Sequence, residues 1–298
     1  MSSLVVTGAS GWMGKSAIAA WLREGHSAGS VRVISRKPGP LKVMGHEIMN
    51  FSSVEPCHLP GAVTLVHTAF VTREFYAQLG PEEFAKANRT IIQNAQNLIY
   101  SLKPKTLIFV NSGATQRIPI QSEVDPSYSA YVLLKKEERE VLSRTAEDIG
   151  AGVVEGVLFS ATGQFMKDPL KFAFGSLLNQ ALLGQSVEIK SQGNVWRRYC
   201  DAEEFFDVLF HLADKGGSAR VESGGELVEL GDLVREIGIY LGKTILVGRE
   251  VNPKIPDDFY FSTSNDYEIF LLEMGRTKIS IQHQISNVLT ALDLNGSY

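Results

Sequence analysis

Apolar and polar positions along this chain follow two alternating periods. Short apolar runs bounded by turn residues occur at 4–6, 31–34, 47–50, 63–67, 106–110 and from 153 onward, and each predicts a strand. Between them the spacing becomes helical, at 13–22, 81–102 and 129–148. In the second helix Phe84, Asn88, Ile91, Ala95 and Leu98 share a face. Pro81 suits its first turn, and Glu82 and Glu83 complement the helix dipole. Asn88 is polar on that apolar face and needs a buried partner, either structural or an active-site water. Strands alternating with helices through residue 163 predict an α/β fold, a doubly wound parallel sheet with helices on both faces. Residues 164–298 are expected to form a smaller substrate-binding region from 165–183 and 221 onward, with 187–214 packing back on the first domain. A helix at 231–241 is ended by Gly242, and 252–258 reads as a Pro-containing loop.

Composition narrows the class without naming it. The 298 residues are 44% hydrophobic and 21% charged, which excludes a disordered chain. A net charge of −4 with no run of Lys or Arg offers nothing to phosphate backbones or anionic membranes, so no nucleic-acid or membrane partner is expected. The opening MSSLVV has no basic n-region, and no apolar stretch approaches the roughly 18 residues of a membrane helix. A soluble, cytoplasmic protein is the expectation. Cys57 and Cys200 stand far apart and read as reduced packing residues; the histidines show no ligand-like pairing, so no metal is expected.

The turn between the first strand and first helix reads Thr7-Gly8-Ala9-Ser10-Gly11-Trp12-Met13-Gly14. Glycines at 8, 11 and 14 suit a sharp turn, close approach to a pyrophosphate, and tight helix-on-strand packing. The helix that follows offers unpaired N–H groups and the positive end of its dipole. Together these predict a dinucleotide site in a Rossmann-like domain spanning 1–163. The second strand ends in Ser35-Arg36-Lys37, with no acidic residue for a free ribose 2′-hydroxyl. Hydroxyl donor and cations suit a 2′-phosphate instead, so NADP(H) is expected, with NAD(H) the alternative. Asn50 and Phe51 are placed beside the adenine, and His67-Thr68-Ala69 ends a strand at the carboxyl edge of the sheet; His67 also fits a packed core histidine.

The strand at 106–110 delivers Asn111-Ser112-Gly113 to the same edge. Farther on, Tyr131 and Lys135 stand four residues apart on one helix face, where an ammonium can lower the pKa of a phenol. Ser112 can hydrogen-bond a substrate hydroxyl or carbonyl, Tyr131 can exchange its proton, and Lys135 can also hold the nicotinamide ribose.

Taken together, the glycine turn, His67-Thr68-Ala69, Ser112 and Tyr131 to Lys135 resemble the extended short-chain dehydrogenases/reductases, which include nucleotide-sugar epimerases, dehydratases and ketoreductases. The resemblance implies nicotinamide contacts from Leu158, Phe159 and Ser160, substrate contacts from Phe70, Ser112 and Gly113, and a homodimer through the helices at 81–102 and 129–148. It also implies that Arg197 faces a substrate diphosphate, though Arg197 and Arg198 equally suit structural ion pairs. Asp201 with Glu204 can cap the helix whose Phe205, Leu209 and Leu212 read as core. Residues 112–116 lack the Asp-Glu pair of the 4,6-dehydratases, which disfavours dehydration. The leading expectation is therefore an NADP(H)-dependent ketoreductase acting on a nucleotide-linked sugar in the cleft between the two regions. Epimerisation on a retained NAD, reduction of a non-nucleotide carbonyl, and a non-catalytic dinucleotide-binding role are the alternatives.

Overall fold

The computed structural model describes residues 2–35, 39–51, 59, 61–116, 125–184 and 186–294. The chain runs through β1 (Ser2–Thr7), α1 (Trp12–Arg23), β2 (Val31–Ile34), β3 (Leu41–Val43), β4 (His46–Phe51), β5 (Ala62–His67), α2 (Tyr76–Leu102), β6 (Thr106–Ser112), α3 (Pro126–Asp148) and β7 (Gly152–Leu158). It continues through β8 (Ser160–Thr162), α4 (Ala173–Leu183), β9 (Ser186–Glu188), β10 (Val195–Asp201), α5 (Ala202–Lys215), β11 (Ala219–Glu222) and β12 (Glu226–Glu229). Last come α6 (Leu230–Leu241), β13 (Leu246–Gly248), β14 (Asp258–Tyr260), α7 (Asp266–Glu273) and α8 (Ile281–Leu294). Two compact units result, Met1–Leu158 with Leu209–Val221, and Phe159–Val208 with Glu222–Tyr298. Of the segment expected to return to the first domain, 187–208 lies in the second unit and 209–214 in the first.

In the first unit an eight-stranded sheet has the order β11-β7-β6-β5-β1-β2-β4-β3, and the pairings from β7 across to β4 are all parallel. The chain winds outward from β1 in both directions, toward β2 and toward β5. That reversal leaves a crevice at the carboxyl ends of β1 and β5, where Thr7 and His67 are register partners. On one face Val5, Leu65, Leu107, Phe109 and Val153 pack with Ala95, Leu98 and Ile99 of α2 and with Leu142 and Ala146 of α3. Leu4 and Val6 alternate with Val5 and point the other way, toward the face covered by α1. There Trp21 meets Phe210 edge-on, ring centroids 5.3 Å apart.

Local departures from the expected elements have local causes. The expected face residue Ile91 is only half-buried; Ile92 takes its place in the core beside Phe84, Asn88, Ala95 and Leu98. The second helix carries an extra turn before Gly80, whose φ of 77° and ψ of 164° break it, so regular helix begins at Pro81. The third starts at Pro126 rather than 129, because Asp125 accepts a hydrogen bond from the Ser127 amide at 2.9 Å and caps it. An unforeseen short strand, β3, pairs antiparallel with β4 through a turn at Met44-Gly45, both at positive φ. Asn88 has a structural partner: its Oδ1 accepts from Val71 N at 2.8 Å, and its Nδ2 donates to the carbonyls of Val71 and Phe84. One side chain thus fixes the segment that follows β5.

In the second unit β10 is the hub, pairing with β12 antiparallel and with β14 and β8 parallel. Asp201 at its end caps α5, accepting from the amides of Glu203 and Glu204. Glu204 does not complete that cap. Its buried carboxylate accepts instead from the Tyr267 hydroxyl at 2.9 Å and from Ile279 N, while Cys200 donates to Tyr267 at 3.2 Å. Phe205, Leu209 and Leu212 are buried as expected of core.

Two stability predictions follow from these buried polar groups. Asn88→Ala strands the Val71 backbone groups and is expected to cost about 1–3 kcal/mol in denaturant unfolding; an unchanged midpoint would contradict the anchoring role. Burial pushes the Glu204 carboxyl up to about 7, against the downward pull of Tyr267 and Ile279. Since the folded value lies above the unfolded one, its contribution is fully present at acid pH and lost as pH rises through about 7. Melting curves of wild type and Glu204→Gln between about pH 5 and pH 8 should therefore diverge in slope, the wild type falling more steeply. Parallel curves would refute the assignment.

Candidate active site

At the crevice, Gly8 sits at φ +73°, and a Cβ there would lie 2.5 Å from Ala69 N, so only glycine lets β1 turn against Thr68-Ala69. Gly14 is equally constrained, its hypothetical Cβ falling 2.4 Å from the Ala9 Cα. Gly11 N donates to Gly8 O at 2.9 Å and closes the turn. Gly11 is also the N-cap of α1, with no side-chain cap and no acidic residue in the first turn. The amides of Met13 and Gly14 are thus offered at the positive end of the helix, with Ser10 exposed beside them. That chemistry fits a pyrophosphate.

The Ser35 hydroxyl, just past β2, donates to Asn50 Oδ1 at 3.0 Å, and its amide donates to the Phe51 carbonyl. Asn50 and Phe51 are therefore joined to the ribose end of the expected site. Arg36 and Lys37, on which the NADP(H) expectation rests, lie outside the described residues, as does Cys57. Among the described residues no group of three or more His, Cys, Asp or Glu is placed to hold a metal, and no helix is long and apolar enough to cross a membrane.

The side chains expected to react lie on α3 and at the end of β6. Lys135 is 7% exposed, and its ammonium donates to the Val110 carbonyl at 3.0 Å and to Glu138 Oε2 at 2.8 Å. It also lies 4.1 Å from the centroid of Phe70, whose ring meets Tyr131 edge-on at 5.6 Å. Phe70 thus packs against both members of the Tyr131/Lys135 pair. Two residues past Val110, Ser112 Oγ accepts from Ala114 N at 3.2 Å, which leaves its proton to donate. Gly113 is buried in the short turn that Ser112 caps. Behind Ser112, Asn111 accepts from its amide and donates to the buried Glu155 at 2.7 Å.

Glu138 was not among the expected residues. It stands in the run Lys-Lys-Glu-Glu-Arg-Glu, which reads as solvated surface, yet positions 131, 135 and 138 share a helix face. That spacing was the available signal. Burial alone would raise the Glu138 carboxyl; the Lys135 ammonium and His67 outweigh it and hold it below the ordinary carboxylate value. His67 is 3% exposed, with Nδ1 2.7 Å from Thr7 Oγ1, so it is a packed, hydrogen-bonded histidine. Thr68 donates twice to the Thr7 carbonyl, through its amide and its hydroxyl.

Leu158 closes β7, while Phe159, Ser160 and Arg197 belong to the second unit. There Phe159 N donates to Ser223 Oγ and Ser160 pairs with Tyr199. Arg197 bonds Asp258 through its carboxylate at 2.6 Å and its carbonyl at 3.1 Å, and Arg198 bonds Glu268 at 3.3 Å. Both arginines therefore stand in ion pairs, the structural role left open from the sequence.

Comparison with known proteins bears on the fold and the family. Residues 4–224 match the family model described as the NAD dependent epimerase/dehydratase family, and no curated protein matches the chain. Among solved structures, UDP-N-acetylglucosamine 4-epimerase from Bacillus cereus is 12% identical, with a TM-score of 0.73 over 99% of this chain and 97% of that one. UDP-glucose 4-epimerase from Brucella ovis, in complex with NAD, is 16% identical, with a TM-score of 0.72 over 96% and 97%. An NAD-dependent NDP-hexosamine 5,6-dehydratase, TunA, is 16% identical, with a TM-score of 0.70 over 98% of each chain. At such identities the likeness is one of fold. The family model, spanning most of the chain, identifies this protein as a member of the NAD dependent epimerase/dehydratase family, an enzyme of the extended short-chain dehydrogenase/reductase kind.

Proposed function

We propose that this enzyme interconverts a hydroxyl and a carbonyl on a nucleotide-linked sugar, with Tyr131 as acid/base. The observation that carries the reading is the Lys135 hydrogen bond to the Val110 carbonyl, which brings the Tyr131/Lys135 face of α3 to the strand end bearing Ser112. Ser112 donates a hydrogen bond to the reacting oxygen, and Tyr131 gives or takes its proton there. Phe70 excludes water from one side of the pair. Gly8, Gly11 and the first turn of α1 would hold the dinucleotide pyrophosphate, and Thr68 and Ala69 would flank it; Leu158, Phe159 and Ser160 would meet the nicotinamide end. The cofactor, when bound, supplies the hydride acceptor and donor.

Within this reading we assign the direction as ketoreduction with NADP(H), on the strength of Ser35-Arg36-Lys37. Arg197 meets a substrate diphosphate by exchanging its Asp258 partner for phosphate oxygens. Epimerisation on a retained NAD is the second reading, favoured by the family match and by neighbours whose names are 4-epimerases, one of them holding NAD. The homodimer helices carry polar outward residues, Lys86, Arg89, Gln93 and Arg144 among them, with Tyr100 and Leu133 the exposed large hydrophobics there. A subunit contact on that face would be mostly polar.

Two measurements test the proposal. Tyr131→Phe should lower turnover of a UDP-linked 4-keto sugar by about 10²–10⁴-fold while leaving dinucleotide affinity within a few-fold; full activity in the variant would end the acid/base assignment. Thermal stabilisation should be larger with NADPH than with NADH. A larger shift with NADH, together with sugar interconversion that consumes no reduced cofactor, would replace ketoreduction by epimerisation.

A further inference from the structure

The side chain that holds Lys135 is itself held, and the chain of contacts leads back to the glycine turn. Lys135 and Glu138 are both buried, 7% and 1% exposed. A buried ammonium without a counter-charge is costly to the fold. Glu138 Oε2 supplies the counter-charge at 2.8 Å, and the Val110 carbonyl accepts a second hydrogen bond from the ammonium at 3.0 Å. With Phe70 against another side of the ammonium, its position is defined from three directions.

The other oxygen of Glu138 faces His67 Nε2 at 3.4 Å, an electrostatic approach without hydrogen-bond geometry. A carboxylate there selects the tautomer that carries its proton on Nε2, because a lone pair would be repelled. Nδ1 is then an acceptor, and the Thr7 hydroxyl at 2.7 Å is its donor. Thr7 is the last residue of β1, immediately before Gly8. Lys135, Glu138, His67 and Thr7 therefore form one buried sequence of polar contacts from the reacting pair to the dinucleotide turn, joining α3, β5 and β1.

We propose that Glu138 is a positioning residue for Lys135: its carboxylate pins the ammonium to the end of β6, and its contact with His67 ties that position to the turn at Thr7-Gly8. The proposal rests on the assignment of Lys135 to the dinucleotide site. The charged and titratable groups in contact with Glu138 are Lys135 from α3 itself and His67 from β5. On β7 is Glu155, which Asn111 and Arg139 hold; α2 carries Arg89, paired at the surface with Glu137.

The test is dinucleotide binding, which requires no knowledge of the sugar. Affinity for NAD⁺ and NADP⁺ is measured by calorimetry from about pH 6 to pH 9.5 on wild type, Glu138→Gln, Glu138→Asp and Lys135→Met, with circular dichroism melts reporting folding. Glu138→Gln should bind about tenfold more weakly near neutral pH, the loss of one charge-assisted hydrogen bond, and its affinity should fall more steeply than that of wild type as pH rises. Glu138→Asp should recover part of the affinity and shift the fall toward wild-type pH. Lys135→Met should be weak with no such fall, and adding Glu138→Gln to it should cost nothing more.

A role for Glu138 in stability alone predicts a lower melting temperature with wild-type affinity at every pH, and that result, with Lys135→Met still weak, would overturn the proposal. Wild-type affinity in Lys135→Met would overturn the assignment of the site itself, and the proposal with it. If Glu138→Gln does not fold, Glu138→Asp carries the test; an affinity and pH profile identical to wild type would count against the positioning role.

Discussion

A buried ammonium is the constraint around which the first unit is organised. Charge removed from water must be paired and hydrogen-bonded or it costs several kcal/mol, on the order of a large part of a domain's whole stability. Lys135 meets that demand with a carboxylate three residues along its own helix and a backbone carbonyl from the neighbouring strand. The first partner requires α3 to be helical through this turn. The second requires α3 to lie against the end of β6. Local structure and tertiary placement are thus specified by the same side chain, so the Tyr131/Lys135 face cannot drift from the strand end that carries Ser112.

The sheet supplies the remaining geometry. Parallel strands put all their carboxyl ends on one edge, and the reversal of winding at β1 opens that edge between β1 and β5. Residues from four strand ends therefore meet there: Thr7-Gly8, Ser35, His67-Thr68-Ala69 and Asn111-Ser112. Backbone does much of the holding. Gly8 is glycine because Ala69 leaves no room for a side chain, and Asn88 reaches from α2 to fix Val71, just past Phe70. The aromatic ring that abuts Tyr131 and Lys135 is consequently anchored from the opposite end of its own segment.

Much of this was legible in the amino-acid order because it is carried by local spacing. The glycines at 8, 11 and 14, the strand ends at His67 and Ser112, and the four-residue interval from Tyr131 to Lys135 each state a backbone requirement within a few residues. Glu138 was hidden because its neighbours Lys136, Glu137, Arg139 and Glu140 are charged in the ordinary way of a surface helix. Only the extension of the Tyr131/Lys135 face by one more turn distinguishes it. The pairing of Arg197 with Asp258 was beyond reach for a different reason: sixty-one residues separate the partners, and nothing in either neighbourhood points to the other. The strand at Leu41–Val43 is too short to show a period and is made by its turn at Met44-Gly45.

The division of the chain into units has a consequence for how the protein is made. The sequence passes from the first unit to the second after Leu158, back after Val208, and out again after Val221. The strand that completes the edge of the large sheet, beside β7, is β11, so it emerges from the ribosome only after fifty residues of the second unit have been synthesised. Until then β7 has an open edge, a template for mispairing with any exposed strand. Vectorial synthesis therefore cannot finish one unit before beginning the other, and a nascent chain halted anywhere between residues 158 and 219 leaves the larger sheet one strand short.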